Sequence, residues 1–155
     1  ETTQNESYKN LASYPDTNNN LGLSSARWNT VYALTGTINT SDEREKESIT
    51  GSRLGLEFIS KLTPIEYRWK PNEETGNISV RKHYGFVAQQ VKTVLDELKV
   101  STNDFAGYVD CNVKDGIDRF GLRYTEFIAP IVKSIQELKT MIESCKARLD
   151  LLEGN

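Results

Sequence analysis

The stretch that decides the fold runs from Tyr124 to Leu152 and reads YTEFIAPIVKSIQELKTMIESCKARLDLL. Its apolar residues follow one another in alternating steps of three and four, which is the heptad spacing of a coiled coil. One core position holds Ile128, Ile135, Ile142 and Leu149, and the other holds Ile131, Leu138, Cys145 and Leu152. We call these eight residues the seam. Because such a stripe on an isolated helix would face water, the pattern predicts an oligomerisation helix over about residues 125–153.

The seam leaves two points open. Ile at one heptad position and Leu at the other lean towards two strands, although Met141 and Cys145 blur that preference. The same spacing would also suit an amphipathic helix that packs on the core of its own domain. Four unbroken heptads favour the partner helix over this alternative.

Composition excludes several classes of function. The chain has 155 residues and a net charge of −3, and no Lys/Arg cluster interleaved with aromatics suggests nucleic-acid binding. No apolar run approaches the ~18 residues of a membrane span. The sequence starts at Glu1 without Met, shows no signal peptide, and reads as a fragment. Cys111 and Cys145 lie far apart and His83 is the only histidine, so we expect no disulfide scaffold, no metal and no cofactor.

The remaining elements predict an α+β fold. Residues 1–20 read as polar loop, and residues 21–39 have the composition of short strands that end a larger β structure. Further along, periodicity predicts helices at 54–62 and 86–98 and strands at 65–69, 78–86, 105–113 and 120–123. Ile65, Tyr67 and Trp69 would share one strand face, and His83 would lie on a strand surface. The expected architecture is short N-terminal strands, a small mixed α/β core and a long C-terminal helix.

The densest polar segment is Thr40-Ser41-Asp42-Glu43-Arg44-Glu45-Lys46. One interpretation is a helix start, with Thr40 and Glu43 as a capping box. Another is a Ser41 nucleophile with Lys46 as its base. This requires a lysine amine without its proton, and removal from water favours that neutral form. On one regular helix the five-residue spacing would turn Ser41 and Lys46 about 140° apart, so Ser41 must precede the helix or a neighbouring subunit must supply the lysine.

Two carboxylates offer a rival for the chemistry. Asp42 and Glu45 are three residues apart and would share a helix face, a spacing compatible with general acid/base work.

The order of motifs resembles the C-terminal intramolecular chaperone domain of phage endosialidases, tailspikes and neck-appendage proteins, a self-cleaving peptidase module that also occurs in myelin regulatory factor. The resemblance covers roughly residues 21–140. It is carried by LGLSSARWNTVY at 21–32, SDEREKESI at 41–49, LTPIEYRW at 62–69, YGFVAQQV at 84–91, and YTEFIAP at 124–130 running into QEL at 136–138.

The resemblance implies a homotrimer, against the lean of the seam towards two strands. It implies that Ser41 is the nucleophile and Lys46 the base of a Ser–Lys dyad, and that the cut falls beside Ser41, either after Thr40 or before Asp42. Residues 1–40 would then be the end of a β-rich fibre, and residues 41–155 a chaperone that is released. Assembly would take place in the host cytoplasm, and the fibre part would enter the virion.

Two other functions compete with this one. A purely structural trimerisation domain would use the 41–46 segment only as a helix cap and would never cleave. A receptor- or glycan-binding tip would need an aromatic groove, for which Trp28, Trp69 and Tyr84 are the candidates; the pattern favours sheet packing for the last two.

Overall fold

The computed structural model describes residues 31, 32, 34, 41–71, 80–111 and 119–154. The chain from Ser41 to its C-terminus forms one compact unit. Its helices are α1 (Leu56–Lys61), α2 (Ala88–Glu97) and α3 (Ile128–Glu153), and its strands are β1 (Ile65–Tyr67), β2 (His83–Gly85), β3 (Tyr108–Cys111) and β4 (Arg119–Leu122). The fold is therefore mixed α and β with a long C-terminal helix, as the sequence predicted. The strands predicted over 21–39 fall almost entirely outside the described residues.

The core forms where α1, α2 and the start of α3 meet. Phe58 of α1 is 1% exposed, and its ring lies edge-on to Phe105 at 5.4 Å between centroids and stacks on Phe127 at 6.1 Å. Leu95 of α2 is fully buried beside them. The apolar spacing that predicted α1 and α2 is thus the spacing of residues that face one shared core.

Two antiparallel hairpins flank this core. β1 pairs with β2 in the register Ile65 to Gly85, and β3 pairs with β4 in the register Tyr108 to Leu122. The predicted positions of these strands are confirmed. β1 and β2 are shorter than predicted, and β4 has the predicted four residues shifted by one. Residues 78–79 and 112–113 of the predicted strands lie outside the described residues.

The first hairpin confirms the expected sheet packing for Trp69 and corrects it for Tyr84. The Trp69 ring lies edge-on to Tyr67 at 5.2 Å and to His83 at 6.1 Å between centroids. Trp69 lies beyond the end of β1 and is 59% exposed, while Tyr84 is 77% exposed and donates a hydrogen bond to Glu66 at 2.9 Å. His83 is half-buried and stacks on Tyr67 at 5.5 Å between ring centroids. An aromatic side chain at alternate strand positions needs a covering layer to be buried, and the described residues supply none over Trp69 and Tyr84.

Helix α3 presents two different faces along its first turns. Pro130 and Ser134 are buried, Phe127 just before the helix is 2% exposed, and α1 packs against α3. The first seam residue, Ile128, directly follows Phe127 and therefore lies about 100° around the helix axis from it. Ile128, Ile131 and Ile135 are all exposed in the single chain. The alternative in which the seam packs on its own domain is therefore wrong, because a different face of α3 does so.

A carboxylate of α3 holds the start of α1. Glu137 Oε2 accepts a hydrogen bond from the backbone N–H of Leu56 at 2.7 Å, and Glu137 Oε1 lies 3.1 Å from Lys133 Nζ. The N-cap of α1 is Gly55, which has no side chain to serve that donor. A Cβ at Gly55 would lie 2.5 Å from Glu137 Oε2, so a side chain at position 55 would displace the Glu137 carboxylate from this contact.

Candidate functional site

The polar motif lies in an exposed segment that precedes the core. Every residue of 41–53, which we call the site segment, is exposed. Within it, Glu43–Glu45 form one turn of 3-10 helix, and Asp42 is the N-cap, its side chain accepting from the N–H of Arg44 at 2.9 Å. The capping box predicted from Thr40 and Glu43 is wrong, because the N-cap of the turn is Asp42, two residues after Thr40. Thr40 itself lies outside the described residues.

Ser41 and Lys46 meet across this turn. Lys46 Nζ donates to Ser41 Oγ at 2.7 Å and to the carbonyl oxygen of Ser41 at 3.1 Å. The two side chains would point apart on a regular α-helix. Here Ser41 precedes the turn and Lys46 follows it in extended backbone, with φ −116° and ψ 145°. The geometric condition for contact within one chain is therefore met.

The backbone at Ser41 is unusual for a residue with a side chain. Its φ is 147°, in a region that glycine occupies freely and other residues rarely adopt. Such conformations cost roughly 1–3 kcal/mol and concentrate at functional sites. The strained torsion involves the nitrogen of the Thr40–Ser41 peptide bond.

Asp42 is held by Arg44 rather than by Ser41 or Lys46. Arg44 Nε lies 3.0 Å from Asp42 Oδ1 and Arg44 Nη2 lies 2.5 Å from Asp42 Oδ2, which makes a two-point ion pair. Hydrogen bonds from the Arg44 side chain and backbone lower the pKa of the Asp42 carboxyl below its ordinary value. A carboxylate that binds its proton less tightly is a weaker general base, so this pairing disfavours the carboxylate alternative.

The four candidate catalytic residues thus fall into three positions. Ser41 and Lys46 are in contact, Asp42 is engaged by Arg44, and Glu45 lies on the turn with its side chain exposed. The catalytic and cleavage roles assigned to these residues stay predictions. Sequence reasoning did not single out Arg44, although an arginine two residues after an N-capping aspartate is the signal that could have identified it.

The predicted oligomerisation residues form a continuous exposed stripe. Between 44% and 76% of the surface of each of its Ile and Leu residues is exposed, and Cys145 is also exposed. These values come from one chain, in which the stripe has no cover. Sequence reasoning also missed Glu137, whose contact with Leu56 depends on tertiary structure and leaves no local pattern.

Two negative observations apply to the residues that the structure describes. None of their helices is long and apolar enough to cross a bilayer. Their His, Cys, Asp and Glu side chains form no group of three or more arranged to hold a metal ion.

Comparisons with known proteins agree with the motif and with the fold. Residues 41–99 match the sequence model of a peptidase family described as "Chaperone of endosialidase". The chain is similar to the structure of the carboxy-terminal domain of the bacteriophage T5 L-shaped tail fibre with its intramolecular chaperone domain, with a TM-score of 0.64 and 21% identity. That similarity covers 88% of this chain and 38% of the other, so this chain spans well under half of the T5 structure.

A second solved structure, described as a novel intramolecular chaperone, has a TM-score of 0.41 and 24% identity over 70% of this chain and 98% of its own. No curated protein sequence matches the chain. At 21% identity the likeness to the T5 structure establishes the fold alone, while the family match covers the segment that contains Ser41 and Lys46. The resemblance predicted from the sequence is confirmed: residues 41–99 match the family of the endosialidase chaperone.

Proposed function

We propose that this chain is an intramolecular chaperone that trimerises a phage tail fibre, tailspike or appendage protein and then releases itself by cutting its own backbone beside Ser41. The observation that carries the proposal is the 2.7 Å contact between Lys46 Nζ and Ser41 Oγ, inside the segment that matches the endosialidase-chaperone family. The fold similarity to the T5 tail-fibre domain supports the chaperone part.

The chemistry follows from a hydroxyl next to an amine. A neutral Lys46 amine takes the proton of Ser41 Oγ, and the oxygen attacks a peptide carbonyl carbon. The C–N bond then breaks, and the proton passes from the lysine ammonium to the departing amine. An ester remains on Ser41 Oγ, and water hydrolyses it to a carboxylate and a free hydroxyl. The sequence of steps is a single turnover that consumes one water and needs no cofactor.

The geometry of Ser41 favours the bond after Thr40 over the bond before Asp42. Attack of Ser41 Oγ on the carbonyl of Thr40 closes a five-membered ring, whereas attack on its own carbonyl would close a strained four-membered ring. The positive φ of Ser41 supports the same bond, because breaking the Thr40–Ser41 peptide releases that torsion. Thr40 would keep the new carboxylate and Ser41 the new amine.

A partner chain supplies what the single chain lacks. The site segment is exposed throughout, and a lysine amine in water keeps its proton at neutral pH. Removing such an amine from water favours its neutral form. The exposed seam supports an oligomer, and the family resemblance gives the number three. Cleavage would then follow assembly, because only the trimer would cover Lys46.

The role suits the folding of a three-chain fibre. Register between non-local strands is slow to find, and exposed strand edges aggregate meanwhile. A helix that trimerises early raises the effective concentration of the upstream strands. Residues 1–40 would be the end of that fibre and residues 41–155 the chaperone. Cutting after assembly, in the host cytoplasm, would leave the fibre in the virion without its template and therefore kinetically trapped.

The test is to refold the whole chain and to weigh the products. We expect denatured wild-type protein, diluted into neutral buffer, to give fragments 1–40 and 41–155 by mass spectrometry. Ser41→Ala should remain whole and should form the same oligomer. Ser52→Ala, in the same exposed segment, is the matched control and should cleave like the wild type.

Two outcomes would reject parts of the proposal. A wild-type chain that trimerises but stays whole under every native condition would make this a structural trimerisation domain. Normal cutting by Ser41→Ala would move the nucleophile elsewhere and would revive the carboxylates of Asp42 and Glu45.

A further inference from the structure

The proposed chemistry assigns no role to Arg44, an arginine of the site segment. Its guanidinium donates hydrogen bonds to Asp42, from Nε to both carboxylate oxygens at 3.0 and 3.2 Å and from Nη2 to Oδ2 at 2.5 Å. Arg44 is itself 88% exposed along its side chain. Exposed ion pairs contribute little to stability, so stability alone does not account for a pair made this completely.

Asp42 is the acid best placed to interfere with Lys46. It directly follows Ser41, so its carboxylate can reach the same region as the Ser41 hydroxyl. In the described residues no hydrogen bond or ion pair joins Lys46 to Glu45 or Glu47, since its Nζ donates to Ser41. Glu43 lies on the 3-10 turn, and its carbonyl accepts the backbone N–H of Lys46.

Lys46 is not ion-paired in the part of the chain that the structure describes. Its Nζ contacts Ser41 alone, through the hydroxyl and the carbonyl oxygen. The charged groups closest to it in sequence are Asp42, Glu43, Arg44, Glu45 and Glu47, and all of them are exposed. A carboxylate paired with Lys46 would stabilise the ammonium form and draw Nζ away from Ser41 Oγ.

Building on the proposed self-cleavage, we propose that Arg44 is a positioning residue for that reaction. By holding the Asp42 carboxylate at two points, it prevents an Asp42–Lys46 ion pair and leaves Lys46 Nζ on Ser41 Oγ. The fork of a guanidinium matches both oxygens of a carboxylate, which a lysine ammonium cannot do. Arg44 touches no reacting atom and acts through Asp42.

The experiment measures the pH profile of cleavage in the full chain. Denatured protein is diluted into buffers from pH 6 to pH 10, at concentrations where the rate no longer depends on concentration, and fragment appearance is timed. We expect Arg44→Gln to cleave about tenfold more slowly than wild type near pH 7, with its profile shifted about one pH unit upwards. The two rates should converge at high pH, where the amine is neutral in either case.

Three further variants separate positioning from general damage. Arg44→Lys keeps the charge without the fork and should fall between wild type and Arg44→Gln. In an Asp42→Asn background, Arg44→Gln should cause no further shift, since no carboxylate is left to release. Arg68→Gln removes an exposed arginine from the end of β1 and should leave the profile unchanged.

The outcomes distinguish this inference from the proposed function. A uniform slowing of Arg44→Gln at every pH, or the same slowing in the Asp42→Asn background, would mean a merely structural role and would overturn the inference alone. An unchanged Arg44→Gln profile would do the same. A wild-type chain that never cleaves would overturn both.

Discussion

The body of the domain and the site segment are stabilised by different interactions: the first by a buried core, the second by local hydrogen bonds. We define the body as the described residues between 54 and 138. There, Phe58, Leu95 and Phe127 are at most 2% exposed and form one aromatic and aliphatic core. In residues 41–53 no side chain is buried, and the local order comes from hydrogen bonds between neighbours in sequence.

This difference separates folding from chemistry. The body obtains its burial from its own chain and therefore does not need a partner to reach its fold. In the site segment Lys46 contacts Ser41, but the described part of the chain does not remove this pair from water. In the proposed oligomer, the exposed seam would connect the two, because it would bring further chains to a domain that is already folded. The predictions below test either the folding of the body or the chemistry of the site segment. Where stability is measured, each variant also carries Ser41→Ala, so that the sample contains only uncleaved chain.

The largest effect is expected at the seam. Ile142→Asp would place a charge at a heptad core position of every helix, at a cost of about 3 kcal/mol or more, which is roughly a hundredfold in the dissociation constant of the oligomer. Sedimentation should show monomer at micromolar concentration, and with Ser41 intact, cleavage should be lost. Ile142 is 55% exposed in the single chain, so the body should stay folded.

The matched control for the seam is Ser144→Asp. It adds the same charge two residues away on an exposed position outside the heptad core. It should remain oligomeric and should cleave. Loss of oligomer in both variants would mean that charge, rather than the seam, decides assembly.

The next effect is expected in the core. Phe58→Ala should destabilise the body by about 3–5 kcal/mol, because it removes a ring that contacts two other buried aromatics. Ile49→Ala, which truncates an apolar side chain of the site segment that is 63% exposed, should change stability by about 0.5 kcal/mol or less. Urea unfolding of dilute monomer measures both. A large cost for Ile49→Ala would show that the segment is packed after all.

The smallest effect is expected at Glu137 and depends on pH. The N–H of Leu56 and then Lys133 lower the pKa of the Glu137 carboxyl. A carboxyl with a lowered pKa in the folded state stabilises that state above its unfolded pKa of about 4.3, and the contribution is lost as the pH falls through the folded value. Glu137→Gln should therefore have a lower urea midpoint than wild type at pH 7, and the gap should close below pH ~4.

Glu143→Gln is the control on the same helix, beyond the body. It should show no comparable gap between neutral and acid pH. A gap for Glu137→Gln that persists unchanged at low pH would mean that the variant lost packing, rather than a charge-assisted cap on α1.

The helices and strands could be predicted from the sequence because the spacing of their apolar residues reflects which positions face the core. The stripe of Phe58 in α1 and that of Val91, Val94 and Leu95 in α2 gave the helices, and alternation gave β1 and β2. The packing prediction failed at Tyr84, and Trp69 packs on Tyr67 and His83 but stays largely exposed, since strand alternation identifies a face but not whether anything covers it.

The candidate site was harder to predict than the fold. Spacing alone left the contact between Ser41 and Lys46 undecided, because it depends on a single 3-10 turn in place of a regular helix. The cap at Glu137 required knowledge that two segments eighty-one residues apart come together. The ion pair of Arg44 with Asp42 is local and could have been proposed from the order of the residues.

The angle between the two faces of α3 determines which other coiled coils could replace its C-terminal part. Helix α3 has 26 residues and is about 39 Å long; its Pro130 and Ser134 are buried, and the seam lies at a fixed angle around the helix from these two residues. A foreign coiled coil grafted after Glu137 would be tolerated only in phase. One inserted residue would swing the new stripe about 100° around the helix, whereas seven would nearly restore it. We therefore expect that the tail can be replaced by another coiled coil, provided that the new stripe keeps the same angle to the buried face of α3.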